Sequence, residues 1–204
     1  MKIKVWQLSV VGMLLMVGSV MATVAAPGDL DDGFGDGGVV KFERVPSGGS
    51  LFDTVADVVI DANGKIIVVG NLDEPNAHFA LRLNADGTPD TSFSTDGMVA
   101  FPENNDDVIG FMAEVVALDD QGRIVVGGLI FRPSEDQNRQ YIIIQFQPTL
   151  VRLLPNGELD TTFGQGGIIT TNLGDDDYEL MTDLLIDAEG RLVASGQEGS
   201  GNRG

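Results

Sequence analysis

The 204-residue sequence contains no cysteine, one histidine, one tryptophan, and only 12 lysine and arginine residues against 31 aspartates and glutamates. Without cysteine, the chain has no disulfide framework and no lipid-modified cysteine. With one histidine, His78, a Ser-His-Asp site or a zinc site would have to depend on that residue. Since the next repeat has no matching histidine, we interpret His78 as a surface residue. The sequence therefore predicts a non-enzymatic protein.

The shortage of basic residues gives a formal net charge of −19. Nucleic acids are held by clustered lysine and arginine, so nucleic acid is excluded as the expected partner. The same charge favours solubility. The expected partner is a protein or a carbohydrate.

The first 26 residues have the order of a secretory signal. Lys2 and Lys4 precede an apolar run at 8–20, and small residues follow at 22–26. The run is shorter than the ~20 residues that span a bilayer, so no stable membrane insertion is expected after cleavage. We predict a mature start between Thr23 and Pro27, and a secreted, periplasmic or cell-surface location.

Three motifs recur in the same order along the chain. They are a Leu/Pro-Asp-x-x-Phe motif at 30–38, 89–97 and 159–167, an Asp-x-x-Gly turn at 61–65, 119–123 and 187–191, and an Arg-Leu turn at 82–87 and 152–157. A period of about 60 residues, with an insertion in the second unit, fits every spacing and is typical of propellers or repeat arrays. The units predicted after the signal are 27–88, 89–158 and an incomplete 159–204.

Each unit is predicted to contain four short strands, which in the first are 38–42, 55–60, 65–70 and 78–84. The apolar run 66–69 is continuous, as in a strand covered on both faces. The predicted fold is therefore all-β, with antiparallel four-stranded blades in an incomplete or open β-propeller-like array of about three repeats.

These motifs resemble those of the delta-60 repeat family of bacterial exported proteins over residues 30 to 196. The resemblance implies a propeller-like scaffold and no catalytic residue. It leaves open that the chain is the amino-terminal part of a larger extracellular hydrolase or lyase acting on polysaccharide.

The residue types of the 30–38 motif predict its local structure. We expect Asp31, Asp90 and Asp160 to bond their own turns, and the phenylalanine three residues after each to point inward. The last glycine of each copy, at 38, 97 and 167, should permit a bend that a Cβ would obstruct. Ser94 and Asp96 replace glycines of the motif, which predicts a reshaped turn in the second copy.

The second unit is about 12 residues longer than the first, which predicts a protruding hairpin at 131–147. Since loops in repeat proteins collect binding residues, we predict a contact surface there. The candidate residues are Arg132, Glu135, Asp136, Arg139 and Tyr141. The alternative is an insertion without function.

Clustered carboxylates raise the question of calcium, which binds six to eight oxygens. The candidates are Asp106 and Asp107 in the second unit and Asp175, Asp176 and Asp177 in the third. The favoured interpretation is a pair of solvated loops. The alternative, a calcium-stabilised surface protein, predicts a chelator-dependent melting temperature. Alternating oxygens from Asn84 to Asp90 are interpreted as a capped turn, and no other cofactor is expected.

Closure of a propeller takes about four to eight blades. Two full units and part of a third fall short of this number. We therefore predict a truncated or open array with uncovered terminal faces, and self-association through the blade ends as the next alternative.

Overall fold

The computed structural model describes residues 3–6, 27–42, 54–72, 77–101, 110–133, 144–171 and 178–199. The secondary-structure elements in these segments are all β-strands. The strands are β1 (Ile3–Trp6), β2 (Val39–Phe42), β3 (Thr54–Ile60), β4 (Ile66–Leu72), β5 (Ala77–Leu83), β6 (Met98–Ala100), β7 (Gly110–Leu118), β8 (Ile124–Pro133), β9 (Ile144–Leu153), β10 (Ile168–Thr170), β11 (Tyr178–Ile186) and β12 (Leu192–Gly199). These described segments hold no helix that could cross a membrane.

The strands form two complete four-stranded sheets and two strand pairs. The first sheet has the order β3-β4-β5-β6 and the second β7-β8-β9-β10, both antiparallel throughout. Strands β11 and β12 form a third, two-stranded sheet, and β1 pairs with β2. The predicted all-β class and its antiparallel four-stranded blades are confirmed.

The predicted grouping of strands within a unit is wrong by one strand. Residues 38–42 were expected beside 55–60, but β2 pairs with β1, and the last strand of the first sheet is β6. The reason lies in the motif before β6, which folds back on β5 through bonds from Asp90 N to Arg82 O and from Arg82 N to Gly97 O. The second and third motifs therefore join the third and fourth strands of their sheets, and the sequence period is offset from the sheets.

The expected local structure of the motif is confirmed. Oδ1 of each motif aspartate accepts a bond from the backbone N–H two residues later. The three phenylalanines, Phe34, Phe93 and Phe163, are buried. The last glycines have positive φ, and an added Cβ at Gly38 would meet the Leu30 side chain.

The second motif copy is reshaped as predicted. Ser94 keeps the left-handed conformation of the glycine that it replaces, with φ of 59°. Asp96 has no positive φ, unlike Gly37 and Gly166 at the matching positions, and its Oδ1 accepts a bond from Met98 N.

Strands β3, β7 and β11, each the first strand of its sheet, have a bulge at the same position. The register shifts between Val55 and Asp57 in β3, and at the matching positions of β7 and β11. Opposite each bulge stands a glycine of the neighbouring strand, Gly70, Gly128 or Gly196. An added Cβ there would collide with a backbone carbonyl oxygen, that of Met112 in the case of Gly128.

The sheets stack face to face through hydrophobic clusters, and Phe34 and Val40 pack on the outer face of the first sheet, where only β3 exposes apolar side chains. Val116 of β7 and Leu184 of β11 are 6% and 4% exposed, whereas Val58 at the matching position of β3 is 49% exposed. At the other end, Leu185 and Val193 are 60% and 53% exposed. The predicted open array is confirmed, but the expected bare face of the first sheet is wrong except along β3, because Phe34 and Val40 cover the rest.

Strand β1 lies within the predicted signal segment, so cleavage near residue 26 would remove it. Residues 7–26 lie outside the described residues, and the signal stays a prediction.

We expect Gly128→Ala to lower the free energy of unfolding by about 1–3 kcal/mol, because its Cβ would collide with backbone that cannot move independently. Gly110→Ala in the same sheet is the control, since its Cβ would have ordinary contacts at 3.5 and 3.7 Å. Urea denaturation measures both variants. Equal stability of the two would contradict the role of Gly128 at the bulge.

Candidate functional site

The most elaborate polar arrangement is a pair of cation–carboxylate–phenylalanine clusters built at the motifs. The closed cluster consists of Lys65, Arg82, Asp90 and Phe93. Asp90 Oδ2 accepts bonds from Lys65 Nζ at 2.6 Å and from Arg82 Nε at 2.7 Å. The Arg82 guanidinium lies 4.8 Å from the centre of the Phe93 ring. The cluster therefore combines an ion pair with a cation–π contact.

The carboxylate of Asp90 has no free bonding capacity for catalysis. Burial raises its pKa, but the hydrogen bonds from Lys65, Ser92 and Arg82 outweigh this effect and hold the pKa well below its usual value. Asp90 therefore stays ionised at neutral pH and cannot act as a general acid. Its role is to hold β5 to the motif.

The turn of the next repeat covers the closed cluster. Arg82 Nη1 donates to Pro155 O at 2.5 Å, and Ser94 N donates to Asn156 O at 3.0 Å. Gly157 lies against the Phe93 ring. The turn at 84–88 covers the first motif similarly, through a bond of 2.8 Å from Gly35 N to Asp86 O. Both contacts join consecutive sheets.

The open cluster consists of Arg123, Arg152, Asp160 and Phe163. Arg152 Nε donates to Asp160 Oδ2 at 2.8 Å, and the guanidinium lies 4.3 Å from the centre of the Phe163 ring. Hydrogen bonds from Thr162 lower the pKa of Asp160; burial opposes them, and the Arg152 bond and charge reinforce them. In the described part of the chain, no turn covers this cluster.

A cavity of about 630 Å³ adjoins the open cluster. Arg123, Arg152 and Phe163 line it, together with residues of the turns that follow β7 and β11. The matching place at the closed cluster receives a backbone carbonyl. Arg152 can therefore donate a hydrogen bond to a carbonyl or another oxygen acceptor.

The prediction that His78 is a surface residue is wrong. Its side chain is buried, and its Nδ1 lies 2.8 Å from Asn71 Oδ1 on the neighbouring strand. Asn71 in turn accepts a bond from Ala113 N and donates one to Ala113 O, which ties the first sheet to the second. Burial lowers the pKa of His78 to about 4, so the ring is neutral at pH 7.

Two carboxylates that the sequence did not single out also link neighbouring sheets. Asp57 Oδ2 accepts a bond of 2.9 Å from Val116 N, and Glu114 Oε2 accepts one of 2.8 Å from Met181 N. Burial raises the pKa of Glu114, and the bond from Met181 partly offsets this rise. Both residues lie at the bulge of their strand, which the sequence does not show.

Most candidate binding residues lie outside the described residues. These are Asp106, Asp107, Asp175, Asp176 and Asp177 for calcium, and Glu135, Asp136, Arg139 and Tyr141 for partner binding. Arg132 lies in β8, where its backbone pairs with Gln145. The described segments contain no group of three or more side chains suited to a metal ion. These sites stay predictions.

The alternating oxygens at 84–90 form a capped turn, as interpreted. Asp86 Oδ1 accepts bonds from the backbone N–H and the hydroxyl of Thr88. Lys65 Nζ donates to both Asn84 Oδ1 and Asp90 Oδ2. The Lys65 ammonium group therefore lies between these oxygens, in the place that a bound cation would take.

The repeated sheets and clusters define a β-propeller-type repeat protein whose sheets form an open array. Residues 62–93 and 144–163 match the family described as Domain of unknown function (DUF5122) beta-propeller. The two matched segments each contain an Arg-Leu turn and end at the phenylalanine of a cluster. The match supports a propeller-like repeat family, while the delta-60 name stays a prediction. No curated protein and no solved structure matches the chain.

We expect Asp90→Asn to lower the free energy of unfolding by about 3 kcal/mol, because Arg82 and Lys65 lose the charge that compensates them. Asp86→Asn is the matched control, because this exposed aspartate lies on the preceding turn and pairs with no cation in the described residues. Its stability should change by less than about 0.5 kcal/mol. Equal losses in chemical denaturation would contradict a structural role for the closed cluster.

We expect stability to fall as the pH drops from 6.5 to about 4, because unfolded His78 takes up a proton at its ordinary pKa of 6.5 and folded His78 only near 4. His78→Gln should lose this part of the pH dependence. Glu114 has the opposite effect, since its folded pKa is raised, but both proteins carry it. Urea denaturation at several pH values measures the difference, and parallel profiles would show that His78 does not titrate as described.

Proposed function

We propose that this chain is an exported, non-enzymatic repeat protein that serves as a binding or surface-interaction scaffold. The inserted hairpin at 131–147 is its contact surface. The observation that carries the proposal is the stem of this hairpin, which extends the second sheet beyond the first.

The stem is a regular continuation of β8 and β9. In the first sheet, the pairing of β4 with β5 ends at Leu72 and Ala77. In the second sheet, three further pairs follow the matching position and end at Pro133 and Ile144. Phe131 and Phe146 make an edge-to-face contact across the stem, with ring centres 5.1 Å apart. A cross-strand aromatic pair favours a fixed direction for the hairpin.

The bonding of the charged side chains favours a scaffold over the polysaccharide hydrolase or lyase. A glycosidase needs a carboxylic acid that can give up a proton, and such an acid usually has a raised pKa. Asp90 and Asp160 have lowered pKa values and bind arginine. Glu114 has a raised pKa, but it accepts a bond from the backbone of the next sheet.

The experiment starts from protein recovered outside the cytoplasm, whose amino terminus should lie between Thr23 and Pro27. The protein is then screened on arrays of polysaccharides and of extracellular proteins. A ligand found there should lose affinity at least tenfold when residues 134–138 are deleted or when Arg132 and Arg139 are changed to glutamine. Neither change removes an apolar side chain, so the melting temperature should stay unchanged.

Arg191→Gln is the matched control, because it also removes a positive charge but lies on the exposed turn before β12. Undiminished binding by the trimmed hairpin would overturn the assignment of the contact surface. Release of reducing sugars or unsaturated products from a polysaccharide would overturn the non-enzymatic proposal. Recovery of exported protein that begins at Met1 would contradict signal cleavage.

A further inference from the structure

The strand that follows the first motif has an unusual neighbour. After the second and third motifs, β6 and β10 pair with β5 and β9, the third strands of their sheets. After the first motif, β2 pairs with β1 instead, and Val39 is the partner of Trp6. At the matching position of the first sheet, Met98 is the partner of Leu81. Strand β1 therefore takes the place beside β2 that a third strand takes in a complete sheet.

The first motif also differs from the other two in its ion pair. Oδ2 of Asp90 accepts a bond from Arg82, and Asp160 Oδ2 accepts one in the same way from the arginine of β9. Asp31 is the matching aspartate, and its Oδ1 caps its own turn. In the described residues no lysine or arginine pairs with Asp31, and the residue eight places before it is a threonine.

The other groups that surround an arginine in the closed cluster are present at the first motif. Phe34 is buried, as the phenylalanine of the closed cluster is, and the turn at 84–88 covers the motif. In the closed cluster the arginine also donates to Pro155 O. The matching carbonyl is that of Ala85, and no donor among the described residues reaches it. The first motif therefore offers a carboxylate, a ring and a carbonyl oxygen to a guanidinium group.

Signal cleavage, which belongs to the proposed function and is required here, removes β1 from the edge of β2. The backbone N–H and C=O groups of Val39–Phe42 on that edge then lack partners, and such an edge binds an extended segment as an added strand. We propose that a segment of a partner protein binds there antiparallel to β2. Its arginine pairs with Asp31, as Arg82 pairs with Asp90.

A segment of another protein fits this edge better than a second copy of the chain does. The two Arg-Leu strands, β5 and β9, each lie between two strands of their own sheet. A second copy would have to break a complete sheet to supply one of them. The formal net charge of −19 also makes two copies repel each other, whereas it attracts a basic segment. The expected partner segment is therefore extended and basic.

The probe is a synthetic peptide with the sequence of residues 77–88, which contains β5 and its arginine. Mature exported protein should bind this peptide at least tenfold more tightly than the precursor, in which β1 occupies the edge of β2. A peptide with Arg82→Gln should bind the mature protein at least tenfold more weakly, because the bonds to Asp31 are lost. Fluorescence anisotropy measures both differences.

A change on the protein side tests the same ion pair. Asp31→Asn keeps the oxygen that caps the turn but removes the charge, so it should weaken binding of the original peptide at least tenfold. It should not weaken binding of the glutamine peptide further, because that pair is already lost. Asp32→Asn is the matched control, since this exposed neighbour makes no side-chain bond in the described residues, and it should leave the affinity unchanged.

The register of the added strand gives an independent measurement, for which the cysteine-free chain provides a clean background. Phe79 pairs with Ala100, and Lys41 of β2 matches Ala100. A peptide with Phe79→Cys should therefore form a disulfide with Lys41→Cys protein under mild oxidation. A peptide with His78→Cys should react at least tenfold more slowly, because its cysteine is one residue out of register.

Equal binding by precursor and mature protein, or by the arginine and glutamine peptides, overturns the proposal. Equal cross-linking of the two cysteine peptides also overturns it. Sedimentation of the mature protein as a dimer that the peptide dissociates assigns the edge to a second copy and overturns the assignment of the partner. Exported protein that begins at Met1 overturns the proposed cleavage as well, whereas failure of correctly processed protein to bind overturns this proposal alone.

Discussion

The rest of the structure depends on the ion pair that joins the aspartate of the second and of the third motif to the arginine eight residues before it. Arg82 and Asp90 are joined both by their side chains and by a bond from Asp90 N to Arg82 O. This double connection folds the motif back on β5 and sets the direction of β6. It also places the phenylalanine under the guanidinium, where the turn of the next repeat docks. One contact therefore controls both the completion of a sheet and its stacking.

Local features of this arrangement could be predicted from residue type. Aspartate capping, inward phenylalanines and left-handed glycines each depend on a few neighbouring residues, and all three are present. The spacing between Gly128 and Arg152 likewise predicted the hairpin. Which strand of the repeat begins each sheet, the phase of the sheets, could not be predicted, because a sequence repeat gives only the period of the pattern. The fold-back of the motif decides the phase, and it depends on contacts of Arg82 that spacing does not show.

The hydrogen bonds that link neighbouring sheets could not be predicted from the sequence either. His78 was expected at the surface because the next repeat has no matching histidine, but its burial depends on Asn71 across the sheet and on Ala113 of the next sheet. Asp57 and Glu114 are two acidic residues among 31 acids. Only the bulge beside each one brings its carboxylate to a backbone N–H of the following sheet.

These links explain how the first strand of a sheet, which lies at its edge, is protected from pairing with another chain. Strands β3, β7 and β11 are the first strands of their sheets, and such edges expose unpaired backbone groups. Here the side chains of Asn71 and Asp57 accept hydrogen bonds from backbone N–H groups of β7, and Glu114 accepts one from β11. These side chains replace hydrogen bonds that a neighbouring strand would otherwise make. Each further sheet is therefore stabilised by apolar packing and by side-chain hydrogen bonds to the backbone of its edge strand. The free energy of unfolding of such an array should be a sum over its sheets and the interfaces between neighbouring sheets. Loss of one of these side-chain hydrogen bonds should therefore destabilise the adjacent sheet before it affects distant ones.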